Sequence, residues 1–476
     1  MPSGGFSVQI RFGTDGWRGV IAREFTFDNL SLVAQATMDY FIEQGLAEKG
    51  LVIGYDRRFL SRRFAERTAE VAAGNGIHVL LTNGYAPTPA VSWAVRERGA
   101  GGGIMITASH NPPEYNGFKI KESFGGSARP STTKVVEEIV ARNRANGRQI
   151  RELPLEEALE RGLVELFDAG EAYRRQLARY VDLERILAAA IPAIVDPMFG
   201  AGCGFFPELL PGTAEIHCEE NPGFGGCPPE PTPEHLEELC SLVRTGNYRV
   251  GLALDGDADR IGAVDETGEF FSSHRIFTVI LRHLIERRGM RGGVVKTVST
   301  TRMVDLLSEK FGLELFETPI GFKHICELML DHDILMGGEE SGGLGVKGHI
   351  PERDGILLGL LLLEAMAMSG KGLRRLLNET MDEIGHFSYR RIDLPIADDA
   401  KERLIGKLRA GDIRTIASRP VTGENFRDGF KYLFADGAWL LIRPSGTEPV
   451  LRLYSEAGSP EAVEELLRAG REMAGV

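Results

Sequence analysis

The strongest constraint on this chain is a rhythm: short apolar runs alternate with helix-patterned stretches along most of its length. Runs at 8–12, 51–55, 78–81 and 103–107 alternate with segments of helical periodicity such as 61–74, where Ser61 suits an N-cap. That alternation predicts crossover units building a largely parallel α/β sheet, with ligand loops at the strand ends. A polar stretch at 141–157, containing Pro154, separates this region from a second one with strands at 193–196 and 250–254. A third follows, with helices at 276–288 and 303–311, strands at 294–298 and 313–318, and an apolar helix after Asp354.

After His386 the pattern changes. A charged helix at 399–408 precedes two runs, 430–434 and 439–443, joined across Asp436-Gly437, a dipeptide that favours a type I′ hairpin turn. The expected fold is therefore three similar α/β domains, 1–151, 152–265 and 266–385, and a C-terminal α+β domain with an antiparallel sheet, 386–476. The length of 476 residues agrees, since domains usually run to about 100–200 residues.

Charge narrows the partners. A net charge of −13 without a dense basic stripe argues against a polyanion, so no nucleic-acid partner is expected. The most apolar stretch, 356–368, is interrupted by Glu364 and is shorter than the roughly 20 residues that span a bilayer, so no membrane span is expected. Residues 1–11 lack the basic start and apolar stretch of a secretory signal. The five cysteines are odd in number and form no C-x-x-C pair, which argues against a disulfide framework and for a reducing cytoplasm.

Five segments, four of them containing glycine, carry the chemistry. Asp255-Gly256-Asp257-Ala258-Asp259-Arg260 lies between two strand-like runs. Three carboxylates at alternate positions can converge on one hard cation such as Mg²⁺. The same residues also suit a solvated acidic turn. An EF-hand fails, because Arg260 stands where that loop needs glycine and both flanks read as strands. An arginine beside such a cluster suggests a nearby anion, for example a phosphoryl group in transfer.

Thr107-Ala108-Ser109-His110-Asn111-Pro112 ends an apolar strand, which exposes the Ser109 hydroxyl for use as a nucleophile or phosphoryl carrier; an ordinary Asn-Pro turn is the other reading. A Ser-His-Asp hydrolase is disfavoured, since G-x-S-x-G is absent. Arg443-Pro444-Ser445-Gly446-Thr447-Glu448-Pro449, followed by Arg452, offers guanidinium, hydroxyl and backbone donors that suit a phosphate dianion. Gly337-Gly338-Glu339-Glu340-Ser341-Gly342-Gly343 offers acceptors that can read sugar hydroxyls. Phe12-Gly13-Thr14-Asp15-Gly16-Trp17-Arg18-Gly19 adds Arg18, either as a phosphate ligand or as a partner of Asp15.

Together these motifs, which follow one another along the chain as 12–19, 107–112, 255–260, 337–343 and 443–449, resemble the phosphoglucomutase/phosphomannomutase members of the α-D-phosphohexomutase superfamily. The resemblance implies four domains around a central cleft and an isomerase acting on a hexose monophosphate. Ser109 would be carried as phosphoserine, and Asp255, Asp257, Asp259 and a phosphoserine oxygen would hold Mg²⁺. The group would pass to the free sugar hydroxyl, giving a 1,6-bisphosphate that reorients and returns its other phosphoryl group. Arg260 and Lys119 would offset the charge in transfer, with Lys119 and His110 at positions tied to acid–base work. Arg18, Lys323, Arg443, Ser445, Gly446, Thr447 and Arg452 would serve phosphate, and Glu339 and Ser341 the sugar.

The sequence also departs from family patterns. Gly343 stands where many members have histidine, Ile320 lacks a hydroxyl found in P-T-G-W-K, and the segment 348–355 resembles H-I-x-E-K-D-G with Arg353 in the lysine position, making His349 and Arg353 candidate substrate residues. The expected substrate is glucose phosphate, with glucose 1,6-bisphosphate as activator. Phosphomannomutase or dual activity comes next, then phosphoglucosamine mutase. A metal-dependent sugar phosphatase, distinguished by release of inorganic phosphate, is the alternative from another class, and a silent sugar-phosphate sensor is disfavoured by the intact serine and aspartates.

Overall fold

The computed structural model describes residues 9–13, 15–411, 413–445 and 449–475. Four sheets follow one another along the chain. In the first, Leu51–Tyr55 is buried throughout and lies between Gly102–Ile106 and Val79–Thr82, both parallel to it. Tyr115–Glu122 turns back antiparallel against Gly102–Ile106 and carries Trp17–Val20 at the edge. The apolar run at 8–12 forms no strand over its described residues 9–12: Ile10 is buried in the core and the Phe12 N–H donates to Glu137 at 2.5 Å. Residue 8 and Thr14 lie outside the described residues.

The second sheet joins Ala193–Asp196, Ala214–Glu215 and Val250–Leu254 in parallel and extends antiparallel through Ile261–Val264 to Phe270–Phe271. The third sets Gly293–Thr297 between two parallel neighbours, Leu315–Thr318 and Ile334–Gly338, with Leu344–Val346 antiparallel at its edge. Each of these mixed sheets has a parallel centre and an antiparallel flank, so each delivers loops to the carboxyl ends of its central strands. The fourth is fully antiparallel and six-stranded, from Ser388–Pro395 to Thr415–Ile416.

Three expectations are corrected. The strand Val164–Phe167 pairs parallel with Val79–Thr82, so the first sheet reaches past the boundary expected at 151; the polar stretch at 141–157 is the crossover into that strand. Asp436-Gly437 makes a hairpin of another type. The Gly437 N–H donates to the Phe434 carbonyl at 3.0 Å and Gly437 alone has a positive φ, 82°, which is a type I turn closed by a left-handed glycine rather than a type I′ turn. Cys203 and Cys218, 15 residues apart, form a disulfide with Cα atoms 5.4 Å apart, because both follow the carboxyl ends of two adjacent parallel strands, Ala193–Asp196 and Ala214–Glu215.

The helix Gly355–Ser369 is buried on every side of its first three turns, which explains its unbroken apolarity. Its one charge, Glu364, is buried too; it accepts from His283 Nε2 and the Asp182 N–H, each at 2.7 Å. Among the described residues no single helix is long and apolar enough to cross a membrane.

Candidate active site

The central strand Gly102–Ile106 ends in the serine loop. There Ser109 has φ 53°, a left-handed conformation that costs a non-glycine residue roughly 1–2 kcal/mol. The loop is tied down to hold it: the Ser109 N–H donates to Thr107 Oγ1 at 2.8 Å, and Thr107 Oγ1 donates to Asp56 at 2.6 Å. The twist aims the hydroxyl at the second sheet, where Ser109 Oγ donates to Asp255 Oδ2 at 2.8 Å. A Cβ on Gly256 would come within 2.6 Å of the Ser109 carbonyl oxygen, so only glycine lets the two loops approach this closely.

Asp255, Asp257 and Asp259 are fully buried, with one oxygen from each within 4.8 Å of the others. Burial and mutual repulsion raise Asp255 well above the usual carboxylate range. Burial acts upward on Asp257 as well, but Lys119 and a hydrogen bond from Thr88 Oγ1 outweigh it and move that carboxyl down. Among the described residues no hydrogen-bond donor reaches the buried Asp257 Oδ1 and Asp259 Oδ1, so two carboxylate oxygens stand ready for a hard cation. The oxygen-only set fits Mg²⁺.

Lys119 Nζ is the hub of the cations. It lies 2.8 Å from Asp15 and from Asp257 and 3.0 Å from Asp259, and despite the cost of burial these carboxylates raise its pKa and hold it protonated. Arg353 Nη2 joins Asp259 at 2.7 Å and also pairs with Asp15, so the third unit contributes a guanidinium to the metal carboxylates. His110 Nδ1 lies 3.4 Å from Ser109 Oγ. Burial, and then the charges of Arg260, Arg18 and Lys119, lower His110 well below its ordinary value and keep it neutral. The cluster thus holds one firm acid form and one base form side by side.

Arg260 donates its backbone N–H to Asp255 Oδ1 at 3.0 Å, and its buried Nε lies 4.0 Å from Asp259 Oδ1 without a hydrogen bond among the described residues. Arg18 bonds to Asn111 Oδ1 of the serine loop rather than to Asp15. Glu339 accepts from the Gly321 N–H at 3.0 Å, and burial pushes its carboxyl up to about 7. Ser341 follows on the same turn, half-buried. The carbonyl of Gly342, a residue at φ 92°, accepts from the Ile261 N–H at 3.2 Å, so the Glu339–Ser341 loop rests on the strand that leaves the aspartate loop. Lys323 lines a small cavity with Gly13, Asp15 and Gly16.

The fourth sheet holds the remaining candidates. Arg443 and Arg452 face each other on adjacent strands, paired with Asp428 at 2.9 Å and Asp393 at 3.4 Å, respectively. Asp428 also accepts from the Ile320 N–H at 2.9 Å, which links this unit to the third. Ser445 is buried, while Gly446 and Thr447 lie outside the described residues.

His349 has other partners. Its ring stacks on Trp93 and packs against Tyr173 and Tyr180, and Nε2 lies 2.8 Å from Asp354 Oδ2, so it braces three units. Asp15 and Thr88, by contrast, touch the centre although the sequence does not single them out for it. Thr88 begins a helix and donates both its N–H and its hydroxyl to Asp257, a role without any local motif.

Known proteins place this geometry. Phosphoglucomutase/phosphomannomutase alpha/beta/alpha domains I, II and III match residues 9–147, 171–268 and 272–384, and the C-terminal domain of the same family matches 402–472. A phosphoglucomutase/phosphomannomutase of Thermococcus kodakarensis is 30% identical over 466 residues, 96% of this chain and 97% of its own. A probable phosphoglucosamine mutase of Methanosphaera stadtmanae is 29% identical over 98% of both chains. The crystal structure of a putative phosphomannomutase from Thermus thermophilus superposes with a TM-score of 0.86 at 37% identity, covering 99% of this chain and 100% of that one.

Fold and site therefore define a phosphotransferase isomerase acting on hexose phosphates. The chain belongs to the phosphoglucomutase/phosphomannomutase family of the α-D-phosphohexomutase superfamily.

Proposed function

We propose that the protein is a Mg²⁺-dependent phosphoglucomutase that interconverts α-D-glucose 1-phosphate and glucose 6-phosphate, with glucose 1,6-bisphosphate as intermediate and activator. One observation carries the reading: the hydroxyl of Ser109, in a strained turn, donates to Asp255 inside a buried cluster of three aspartates. A serine so placed is a phosphoryl carrier beside a cation site.

Ser109 Oγ gives its phosphoryl group to the free hydroxyl of the bound monophosphate and, once the bisphosphate has reoriented, takes back the other. Asp255, Asp257 and Asp259 would hold the ion, whose charge, when bound, stabilises the oxygens of the group in transfer. Lys119, Arg18 and Arg260 add fixed positive charge around the same hydroxyl, and neutral His110 is within reach of its proton. Arg443, Ser445 and Arg452, with Gly446 and Thr447, serve the phosphate that is not transferred.

Glu339 and Ser341 read the sugar, with Glu340 held by the Ser299 hydroxyl at 2.6 Å. The preference for glucose rests on this Glu339-Glu340-Ser341 segment, since His349 is engaged elsewhere. The test is a panel of glucose, mannose and glucosamine 1-phosphates assayed with Mg²⁺ and the matching bisphosphate. Glucose 1-phosphate should give the highest kcat/KM; a much faster mannose or glucosamine substrate would overturn the assignment.

A further inference from the structure

The serine loop is held from behind by a residue that touches no carboxylate of the metal cluster. Arg58 is buried, and its guanidinium donates to four backbone carbonyls of that loop: Ser109 and Asn111 at 2.6 Å, Pro112 at 2.8 Å and Tyr115 at 3.1 Å. Its Nε lies 3.3 Å from Asp56, which accepts at the same time from the hydroxyls of Ser61 and Thr107. Thr107 in turn accepts from the Ser109 N–H. Both backbone groups of Ser109 are thereby fixed through the Asp56–Arg58 pair, and Ser109 is the residue whose left-handed backbone needs external support.

The next side chain extends the tie to the second unit. Arg57 Nη1 donates to the Cys218 carbonyl at 2.8 Å and to Cys203 Sγ at 3.3 Å. The Cys203 loop also supplies the Ala201 N–H, which donates to the Gly256 carbonyl in the metal loop at 2.9 Å. Arg58 itself packs its guanidinium 4.9 Å from the ring centre of Phe224, also in the second unit. One pair of adjacent arginines thus connects the loop that carries the hydroxyl to the unit that carries the aspartates.

We propose that Arg58 is a positioning residue for phosphoryl transfer: it clamps the serine loop so that Ser109 Oγ faces Asp255, and with Arg57 it sets the separation of the two loops. This rests on the mutase reading for its kinetic consequence and on geometry alone for the clamp. An ammonium has three donors on one nitrogen and cannot span four carbonyls as the planar guanidinium does, so Arg58→Lys keeps the charge and loses the fork.

In the full-length Mg²⁺-loaded protein, Arg58→Lys should lower kcat by about 10–100-fold while KM for the sugar phosphate stays within about threefold. Amide hydrogen exchange across 107–112 should speed up by at least about tenfold, with the strands Leu51–Tyr55 and Val250–Leu254 unchanged. A kcat within about twofold of wild type, a loss confined to KM, or unchanged exchange at 107–112 overturns the proposal. The exchange measurement needs no substrate, so it decides the clamp even if the wild-type protein isomerises no hexose phosphate, a result that would instead refute the mutase reading.

Discussion

The two ends of the site are built differently. Around Ser109 the ion pairs are buried or nearly so, and most of them cross between units: Lys119 with Asp15, Asp257 and Asp259, and Arg353 with Asp15 and Asp259. Just behind them Lys121 and Glu352, both with fully buried side chains, pair at 2.6 Å. In the fourth unit the cations sit on partly exposed strand residues: Arg443 and Arg452 keep 16% and 22% of their side chains exposed, and each pairs with a partly exposed aspartate. The contrast separates two tasks. Charge aimed at a developing transition state gains from rigid, dry surroundings, whereas a grip that must take and release a sugar phosphate gains from weak, solvent-screened partners.

The sharpest way to break that comparison is at its rigid end. Ser109→Ala should abolish turnover while leaving the cooperative unfolding transition intact, because the hydroxyl makes one hydrogen bond to Asp255 and a weak contact to His110; isomerase activity in this variant would remove the carrier. Next in size, Lys121→Met should destabilise the fold by about 1–3 kcal/mol in denaturant titration, since the buried Glu352 carboxylate loses its ammonium partner and keeps only Arg353 Nε at 3.4 Å and the Ser127 hydroxyl at 2.5 Å. A loss below about 1 kcal/mol would mean that the buried network is less dry than its geometry.

Much of the rigid end is legible in the sequence, for a physical reason. Asp255, Asp257 and Asp259 alternate on one turn, and Ser109 follows an apolar strand, so local spacing alone brings their chemistry into view. Asp15 is different: its partner Arg353 lies 338 residues away, and nothing near either residue announces the pair. Arg58 is harder still, because the four groups that accept its hydrogen bonds are backbone carbonyls, which no side-chain pattern encodes. His349 shows the converse. A motif-like segment assigns it to the substrate, but the aromatic rings of Trp93, Tyr173 and Tyr180, drawn from two other units, enclose it. The Asp436-Gly437 hairpin is readable as a hairpin, while the turn type depends on which of the two residues takes the positive φ.

At the exposed end, Arg443→Ala should raise KM for the sugar phosphate by about 10–100-fold, the worth of a charge-assisted hydrogen bond to phosphate, with a smaller change in kcat. An effect on kcat alone would put Arg443 in the transfer step and erase the division of labour.

Between the ends lies Glu339, whose carboxyl burial raises to about 7. On the proposed role, in which its carboxylate accepts from sugar hydroxyls, kcat/KM should rise as pH climbs through about 7, and Glu339→Gln should flatten that limb. The same group makes the folded state bind a proton more tightly than the unfolded chain. Its contribution therefore favours folding at low pH and declines as pH rises from the ordinary glutamate range toward about 7. Smallest of all, Asp393→Asn, which removes an exposed carboxylate shared by Arg391 at 2.6 Å and Arg452 at 3.4 Å, should change stability by less than about 1 kcal/mol.

The central claim is that Ser109 carries the phosphoryl group. It is tested most directly by intact mass and phosphosite mapping of the wild-type protein after incubation with Mg²⁺ and glucose 1,6-bisphosphate, before and after an excess of glucose 1-phosphate is added under single-turnover conditions. The account predicts one phosphate, on Ser109, that passes to the sugar without release of inorganic phosphate. Isomerisation with Ser109 never modified, or with the phosphate on another residue, would contradict it.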